Sequence, residues 1–160
     1  MANVKPLPEG YTSVTPYLFI KGAAKAIEYY KEIFGATEVM RMPDPSGRIM
    51  HAEIKIGDSK VMLADENPHI GAKSPQTLGG TTFCLHIYVG NVDVVAKKAV
   101  DAGANLVRPL KDEFYGDRVG TLIDPFGHMW SVATHIEDVT PEEMKKRMAA
   151  LQAQAASTSS

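Results

Sequence analysis

The sequence has one cysteine, no long apolar run and no surplus of positive charge. A single thiol, Cys84, cannot form a disulfide within the chain, which is typical of a reducing compartment, so we expect the protein in the cytoplasm. No stretch reaches the roughly 20 apolar residues of a membrane span, so no membrane partner is expected. With 17 Lys and Arg against 19 Asp and Glu, the net charge is −2. Nucleic acid is therefore not an expected partner, because phosphate binding usually needs a basic surplus.

The composition is that of an ordinary globular chain. Of its 160 residues, 44% are hydrophobic and 22% are charged, which excludes a mainly disordered, collagen-like or fibrous chain. The length fits one domain, or two small modules that share a core. The first residues show no apolar run followed by a cleavage site, so no signal peptide is predicted.

The same order of elements, strand–helix–strand–strand–strand, is predicted twice along the chain. Gly35 and Gly103 each end a predicted helix, each is followed by Ala, and they lie 68 positions apart. A turn at Gly57 corresponds to one at Pro125-Phe126-Gly127, again about 68 positions later. The alternative interpretation is two unrelated α+β halves. The predicted divisions are an N-terminal extension (1–12), a first module (13–66), a linker (67–80) and a second module (81–136).

The remaining residues, 137–160, are predicted to form a C-terminal helix followed by a disordered tail. Thr140-Pro141-Glu142-Glu143 places Thr at the N-cap, Pro at the first helical position and Glu at the third. Met144, Met148 and Leu151 form one apolar stripe, so we expect the helix to pack on its own domain or on a partner chain.

Two segments carry a family resemblance: FIKGAAKAIEYYKEIFGA and FYGDRVGTLIDPFGHMWSVATH. With the doubled βαβββ pattern over about residues 12–136, they resemble the vicinal oxygen chelate superfamily of glyoxalases, bleomycin resistance proteins and extradiol dioxygenases. The end of the chain is similar to small bacterial glyoxalase-like proteins. The resemblance implies an α+β fold, with two tandem βαβββ modules forming a curved mixed-sheet trough that holds the ligand. It also implies paired subunits, so a homodimer is expected.

The resemblance implies four metal-ligand positions, on the first and fourth strands of each module. They fall at Thr15, Leu63, Cys84 and Ser131. A leucine cannot coordinate a metal, and the two hydroxyls and one thiol do not replace the usual His and Glu ligands. The family metal is therefore predicted to be absent, and no cofactor is expected.

Strand alternation offers a different set of chemical groups. It places His51 and Glu53 on one face of their strand, and it places Cys84, His86 and Tyr88 on the trough face of theirs. Two imidazoles and a carboxylate could bind a divalent metal or act in acid–base catalysis, so His51, Glu53 and His86 are the candidate catalytic residues. The alternative interpretation is that they are hydrogen-bonding groups of a wet pocket.

Tyr17, Phe19 and Tyr88 are predicted to face the trough and to form an apolar, aromatic ligand surface. Phe83 and Trp130 are expected to pack beneath helices instead. Arg118 is either an anchor for an anionic or planar ligand or the partner of Asp117. Cys84 is either a thiolate nucleophile or an inert buried side chain. The predicted ligand contacts are Thr15, Tyr17, Phe19, Leu63, Cys84, Tyr88, Arg118 and Ser131.

Three functions remain open from the sequence. The first is a glyoxalase- or bleomycin-resistance-like protein that binds a small, largely apolar or planar molecule without the usual metal. The second is a glyoxalase-like lyase or other enzyme that uses His51, Glu53 and His86. The third is a regulatory or scaffold protein with a vestigial trough.

Overall fold

The structure is a computed structural model that describes residues 4–158. Residues 1–3 of the predicted extension and 159–160 of the predicted tail lie outside the described residues. The chain divides into two compact units. Unit 1 runs up to Phe83 and includes Asp124–His128, whereas unit 2 comprises Cys84–Ile123 and the chain from Met129 onward. No helix among the described residues is long and apolar enough to span a membrane.

Unit 1 contains one four-stranded sheet with one main helix. Its elements are β1 (Tyr17–Ile20), α1 (Ala23–Phe34), β2 (Thr37–Pro43), β3 (Ile49–Ile56), β4 (Ser59–Asp65), a 3-10 turn (Pro68–Ile70) and α2 (Pro75–Leu78). The strand order is β1-β4-β3-β2, with β1 parallel to β4 and the other pairs antiparallel.

Unit 2 repeats this arrangement. Its elements are β5 (Cys84–Tyr88), α3 (Val92–Asp101), β6 (Asn105–Asp112), β7 (Asp117–Ile123), β8 (Met129–His135) and α4 (Pro141–Thr158). The strand order is β5-β8-β7-β6, with β5 parallel to β8. The predicted α+β class and the repeated strand–helix–strand–strand–strand order are therefore confirmed.

A side chain near the end of the fourth strand contacts the start of the main helix in each unit. Asp65, at the end of β4, accepts hydrogen bonds from the backbone N–H groups of Gly22 and Ala23 at 2.9 Å. Thr134, one residue before the end of β8, accepts one from the N–H of Val92 at 2.8 Å. These contacts satisfy donors that the first turn of a helix leaves unpaired.

Several element boundaries differ from the predictions. The predicted first module begins at residue 13, but its first strand begins only at Tyr17, since Pro16 has no N–H to donate to a ladder. The predicted linker contains α2, which Ser74 caps by accepting a hydrogen bond from the N–H of Thr77. Helix α4 continues to Thr158, so residues 153–158 are helical rather than a disordered tail, because Ala and Gln favour helices.

The core of each unit lies between one sheet face and its main helix. In unit 1, Leu63 is fully buried on this face beside Leu18 and Ala52, its partners in the sheet. The prediction that Leu63 contacts a ligand is therefore wrong, because it belongs to the core. In unit 2, Trp130 is fully buried, as predicted, beside Leu85 and Leu122.

The DPFGH hairpin is a structural element of unit 1. One oxygen of Asp124 accepts hydrogen bonds from the N–H groups of Phe126 and His128, and the other accepts one from the hydroxyl of Tyr30. Gly127 has φ +89°, and a Cβ there would lie 2.9 Å from that of Pro75. The motif therefore fixes a turn and its packing.

Candidate functional site

The face of the unit 1 sheet opposite the core carries aromatic and polar side chains. Tyr17 and Phe19 alternate with buried Leu18 and Ile20 along β1, and their rings lie 5.2 Å apart. Their exposed fractions are 42% and 36%. Tyr17 pairs with Met62 of β4, which in turn pairs with Glu53 of β3, so these three side chains share one face.

A chain of hydrogen bonds crosses this face from Tyr17 to Glu53. The Tyr17 hydroxyl lies 3.0 Å from Nδ1 of His51, and Nε2 of His51 lies 3.3 Å from Oε1 of Glu53. The other carboxylate oxygen accepts a hydrogen bond from the hydroxyl of Tyr11 and lies 4.0 Å from Nζ of Lys60. Lys60 also sits 3.5 Å above the Tyr11 ring. The predicted pair of His51 and Glu53 is therefore in contact.

Glu53 is held as a carboxylate although it is only 5% exposed. The hydrogen bond from Tyr11 is the main cause that lowers its pKa; burial opposes it, and the contacts with His51 and Lys60 lower it further. Burial raises the pKa of Tyr17, which favours its neutral phenol. The chain thus runs from a neutral phenol, through an imidazole, to a buried anion.

A cavity of about 820 Å³ lies against β1 in unit 1. One wall is formed by Tyr17 and Phe19, and the other by the segment from Leu78 to Phe83. Lys73 is the only Lys, Arg, Asp or Glu among the described residues that line it. This volume and lining are typical of a small-molecule pocket.

His128 lines part of this cavity, but its ring is buried and makes a structural contact. Its Nε2 lies 3.2 Å from the backbone oxygen of Phe19, and the ring is buried. Burial lowers its pKa against the opposing charge of Asp124, so a neutral imidazole is favoured. This placement fits the hairpin's structural role.

In unit 2, the corresponding polar groups bind one another. His86 lies 2.9 Å from the Ser131 hydroxyl through Nδ1. Tyr88 donates to the buried carboxylate of Asp117 at 2.7 Å, and His135 contacts the other oxygen of that carboxylate at 2.7 Å. Burial opposes the ionisation of Asp117, but the bonds from His135 and Tyr88 keep its pKa below the ordinary value.

Arg118 is bound to two carboxylates, and neither belongs to Asp117. Its guanidinium contacts both oxygens of Asp93 at 2.9 Å and one oxygen of Asp112 at 2.7 Å. These contacts raise its pKa. The predicted Asp117–Arg118 pair is therefore wrong, since Asp117 instead receives Tyr88 and His135.

Two predictions about the start of β5 are also wrong. Cys84 is exposed rather than a buried inert side chain, and its described contact is a weak one to the backbone oxygen of Leu85 at 3.7 Å. Phe83 is 51% exposed and lines the cavity instead of packing beneath a helix. Phe83 precedes β5, whereas Cys84 begins it and is exposed on the same face as His86 and Tyr88, as strand alternation predicts.

Of the predicted ligand contacts, Tyr17 and Phe19 line the large cavity. Thr15 lies between two lining residues, Val14 and Pro16, without being one itself. Cys84, Tyr88, Arg118 and Ser131 belong to unit 2. The sequence did not indicate the wall from Leu78 to Phe83, because its first part lies in the predicted linker (67–80) and its last part in the predicted second module (81–136). The Ser74-Pro75 pair, a helix-start signal, was the available clue.

The comparisons with known proteins agree with this fold. A model of the Glyoxalase/Bleomycin resistance protein/Dioxygenase superfamily matches residues 11–132. The chain therefore belongs to this superfamily, and the resemblance inferred from the sequence is confirmed.

Individual relatives are similar over most of the chain. Uncharacterized protein Rv0887c of Mycobacterium tuberculosis (strain H37Rv) is 39% identical over 149 residues, covering 91% of this chain and 84% of that protein. TioX from Micromonospora sp. ML1 is 25% identical, with a TM-score of 0.60, and covers 81% of this chain and 100% of its own. The fosfomycin resistance protein FosX from Listeria monocytogenes, solved with Mn(II) and sulfate, shares the fold. It has 18% identity and a TM-score of 0.59, and covers 86% of this chain and 97% of its own.

The positions that the resemblance implies for a metal carry side chains that do not fit a divalent ion. Leu63 is in the core, and the neighbouring position on the exposed face is Met62, a thioether. Ser131 is hydrogen-bonded to His86, and Thr15 offers only a hydroxyl. Hard and borderline divalent metals prefer carboxylate and imidazole ligands. Among residues 4–158, no group of three His, Cys, Asp or Glu side chains is placed to hold a metal ion.

Proposed function

We propose that this protein binds a small, largely apolar or planar molecule in the unit 1 cavity, without the metal usual in its superfamily. The observation that carries the proposal is the cavity of about 820 Å³ between the aromatic face of β1 and the segment from Leu78 to Phe83. Its size lies within the roughly 300–1,000 Å³ range of ligand pockets.

Exposed apolar side chains support this assignment. Leu78 is 64% exposed and Phe83 51%, in addition to the two rings of β1. A ligand that covers them removes apolar surface from water, which is the main source of affinity for a planar molecule. Lys73 provides one positive charge at the margin, which favours a ligand that also carries an anionic group.

Fluorescence titration with 8-anilinonaphthalene-1-sulfonate (ANS), a planar aromatic anion, tests this proposal. We expect saturable binding, and we expect Phe83→Ala to weaken it about tenfold because a buried aromatic anchor is worth more than 1 kcal/mol. Phe114→Ala, which removes a ring from unit 2, is the matched control and should leave the affinity unchanged. Equal ANS affinities in the unmodified protein and in both variants would exclude the cavity as the binding site.

The proposal includes a homodimer in the cytoplasm. The apolar stripe of α4 supports the dimer, since Met148 and Leu151 remain 45% and 44% exposed in the single chain. Light scattering should then give about twice the chain mass of 17.4 kDa. A mass equal to one chain would exclude the dimer.

The proposed cytoplasmic location is supported by the exposed, unpaired thiol of Cys84, which a reducing compartment preserves.

An enzyme is the second candidate function, and one observation favours it. His51 and Glu53 form a hydrogen-bonded pair that leads to Tyr17, a residue of the cavity wall. The third predicted member, His86, belongs to unit 2 and contacts Ser131. No feature of the described residues specifically favours a regulatory or scaffold role.

A further inference from the structure

Tyr17 is the one residue that belongs both to the cavity wall and to the hydrogen-bond chain, among the residues that the structure describes. Its ring lines the cavity, and its hydroxyl lies 3.0 Å from Nδ1 of His51. A phenol in contact with an imidazole, which in turn contacts a carboxylate, has the arrangement that activates nucleophiles and bases in enzymes.

The negative charge of Glu53 favours one direction for these hydrogen bonds. Because Glu53 is a carboxylate, its oxygen accepts, so Nε2 of His51 carries the proton and donates to it. In the neutral ring that carries its proton on Nε2, Nδ1 accepts the proton of the Tyr17 hydroxyl. The reverse tautomer would place the lone pair of Nε2 against the carboxylate.

We propose that Tyr17 is the general base of a proton-transfer reaction on a planar ligand bound in the unit 1 cavity, with His51 and Glu53 as its positioning residues. The inference rests on the proposed ligand binding and adds the reaction class. The substrate is a planar, mainly apolar molecule with a weakly acidic C–H, such as one beside a carbonyl group.

The step balances without a further reactant. The substrate C–H bond breaks, its electron pair stays on the substrate, and the proton forms a new O–H bond on the Tyr17 oxygen. The original hydroxyl proton of Tyr17 moves to Nδ1 of His51. The resulting imidazolium is stabilised by Glu53, and return of the proton to another substrate atom completes an isomerisation.

Tyr11 and Lys60 support this role by keeping Glu53 charged. Tyr11 donates to the oxygen of Glu53 that His51 does not contact, and Lys60 lies 4.0 Å from the same oxygen. In unit 2, by contrast, the Tyr88 hydroxyl donates directly to a carboxylate. That phenol has no imidazole between it and the anion, so unit 2 does not reproduce the relay.

Elimination of 5-nitrobenzisoxazole provides a test that needs no knowledge of the natural substrate. A base removes the C3 proton of this planar molecule as its N–O bond breaks, which releases a coloured cyanophenolate. We expect the protein to accelerate this reaction with saturation and ANS to compete with it. Tyr17→Phe should reduce kcat about 100-fold or more, while Tyr115→Phe in unit 2 should not change it.

Measuring kcat and KM separately tests whether Glu53 is a positioning residue. Glu53→Gln keeps the shape of the side chain, so we expect kcat to fall about tenfold or more with KM unchanged. Nitrogen-15 NMR should show His51 protonated at Nε2. A proton at Nδ1, or an unchanged kcat in Tyr17→Phe, would overturn the proposal. So would loss of the activity in Lys73→Gln but not in Tyr17→Phe, because Lys73 would then be the base.

The two proposals fail in distinguishable ways. ANS binding without elimination by the unmodified protein would overturn the role of Tyr17 and leave the binding function standing. Absence of ANS binding would overturn the binding function and, with it, the inference that rests on it.

Discussion

Units 1 and 2 share a topology but differ in what their open sheet faces offer. In unit 1, β1 borders a cavity of about 820 Å³. The cavity lined by Tyr115 and Ser131 in unit 2 has a volume of about 240 Å³. The repeat thus preserved the strand order and the buried core while the exposed face diverged. The shared fold is therefore weak evidence for a shared site.

The polar side chains differ in the same way. In unit 2, Asp117 is shared by Tyr88 and His135, and the hydroxyl of Ser131 contacts His86. In unit 1, the polar chain ends on Tyr17 at the margin of a cavity. The first arrangement fixes side chains to one another, whereas the second leaves a functional group beside space for a ligand.

The largest loss of stability is expected at Gly116 of unit 2, whose surroundings differ from those of Gly47 in unit 1. Gly116, in the turn before β7, has φ +99°, and a Cβ there would lie 2.0 Å from the backbone oxygen of Glu137. Gly47, in the turn before β3, has φ +87° with nothing within 4 Å. Gly116→Ala should cost more than about 3 kcal/mol in the free energy of unfolding, against about 1–2 kcal/mol for Gly47→Ala. Equal losses in urea unfolding would show that the contact with Glu137 is not tight.

The next largest effect distinguishes the two faces of the unit 1 sheet. Leu63→Ala removes a fully buried side chain, so we expect a loss of about 2–5 kcal/mol with unchanged ANS affinity for the folded protein. Met62→Ala, on the opposite face, is the matched control and should cost less. The assignment of Leu63 to the core is contradicted if urea unfolding is unchanged while ANS affinity falls.

A pH effect on stability is expected in unit 2 from His135. Its hydrogen bonds with Asp117 and Asp138 raise its pKa in the folded protein. The stabilisation is therefore fully present below the unfolded pKa of about 6.5, and it is lost as pH rises through the higher folded value. His135→Gln should lower the urea midpoint at pH 5.5 more than at pH 8.5. A larger loss at pH 8.5 would reverse the assigned sign.

The smallest effect is expected at Arg118. Its partners Asp93 and Asp112 are exposed, so Arg118→Gln should leave the urea midpoint nearly unchanged. Because Arg118 lies in unit 2, we expect the ANS affinity to stay the same. A tenfold weaker affinity would restore Arg118 as a ligand anchor and move the site to unit 2.

Much of the fold followed from local patterns in the sequence. Gly35 ends α1 with φ +65°, as predicted, because a glycine cap is a local signal. The error at Leu63 has a different origin. A one-residue shift moves a side chain to the other face of a sheet, and register is set by pairing with β1 and β3, which are distant in sequence.

The candidate site was only partly predictable for the same reason. Alternation placed His51 and Glu53 on one face, and the structure brings them into contact. No local pattern indicated that Tyr11, 42 positions earlier, donates to Glu53. Likewise, the approach of Phe83 to the β1 cavity depends on how the α2 segment folds back.

NMR titration of the full chain with ANS tests directly whether the binding site lies in unit 1. We predict that the backbone amide signals that shift most belong to Tyr17, Leu18 and Phe19 and to the segment from Leu78 to Phe83. The signals of β5 and β8 should shift little. The largest shifts in β5 and β8, with β1 unaffected, would contradict the placement of the binding site in unit 1.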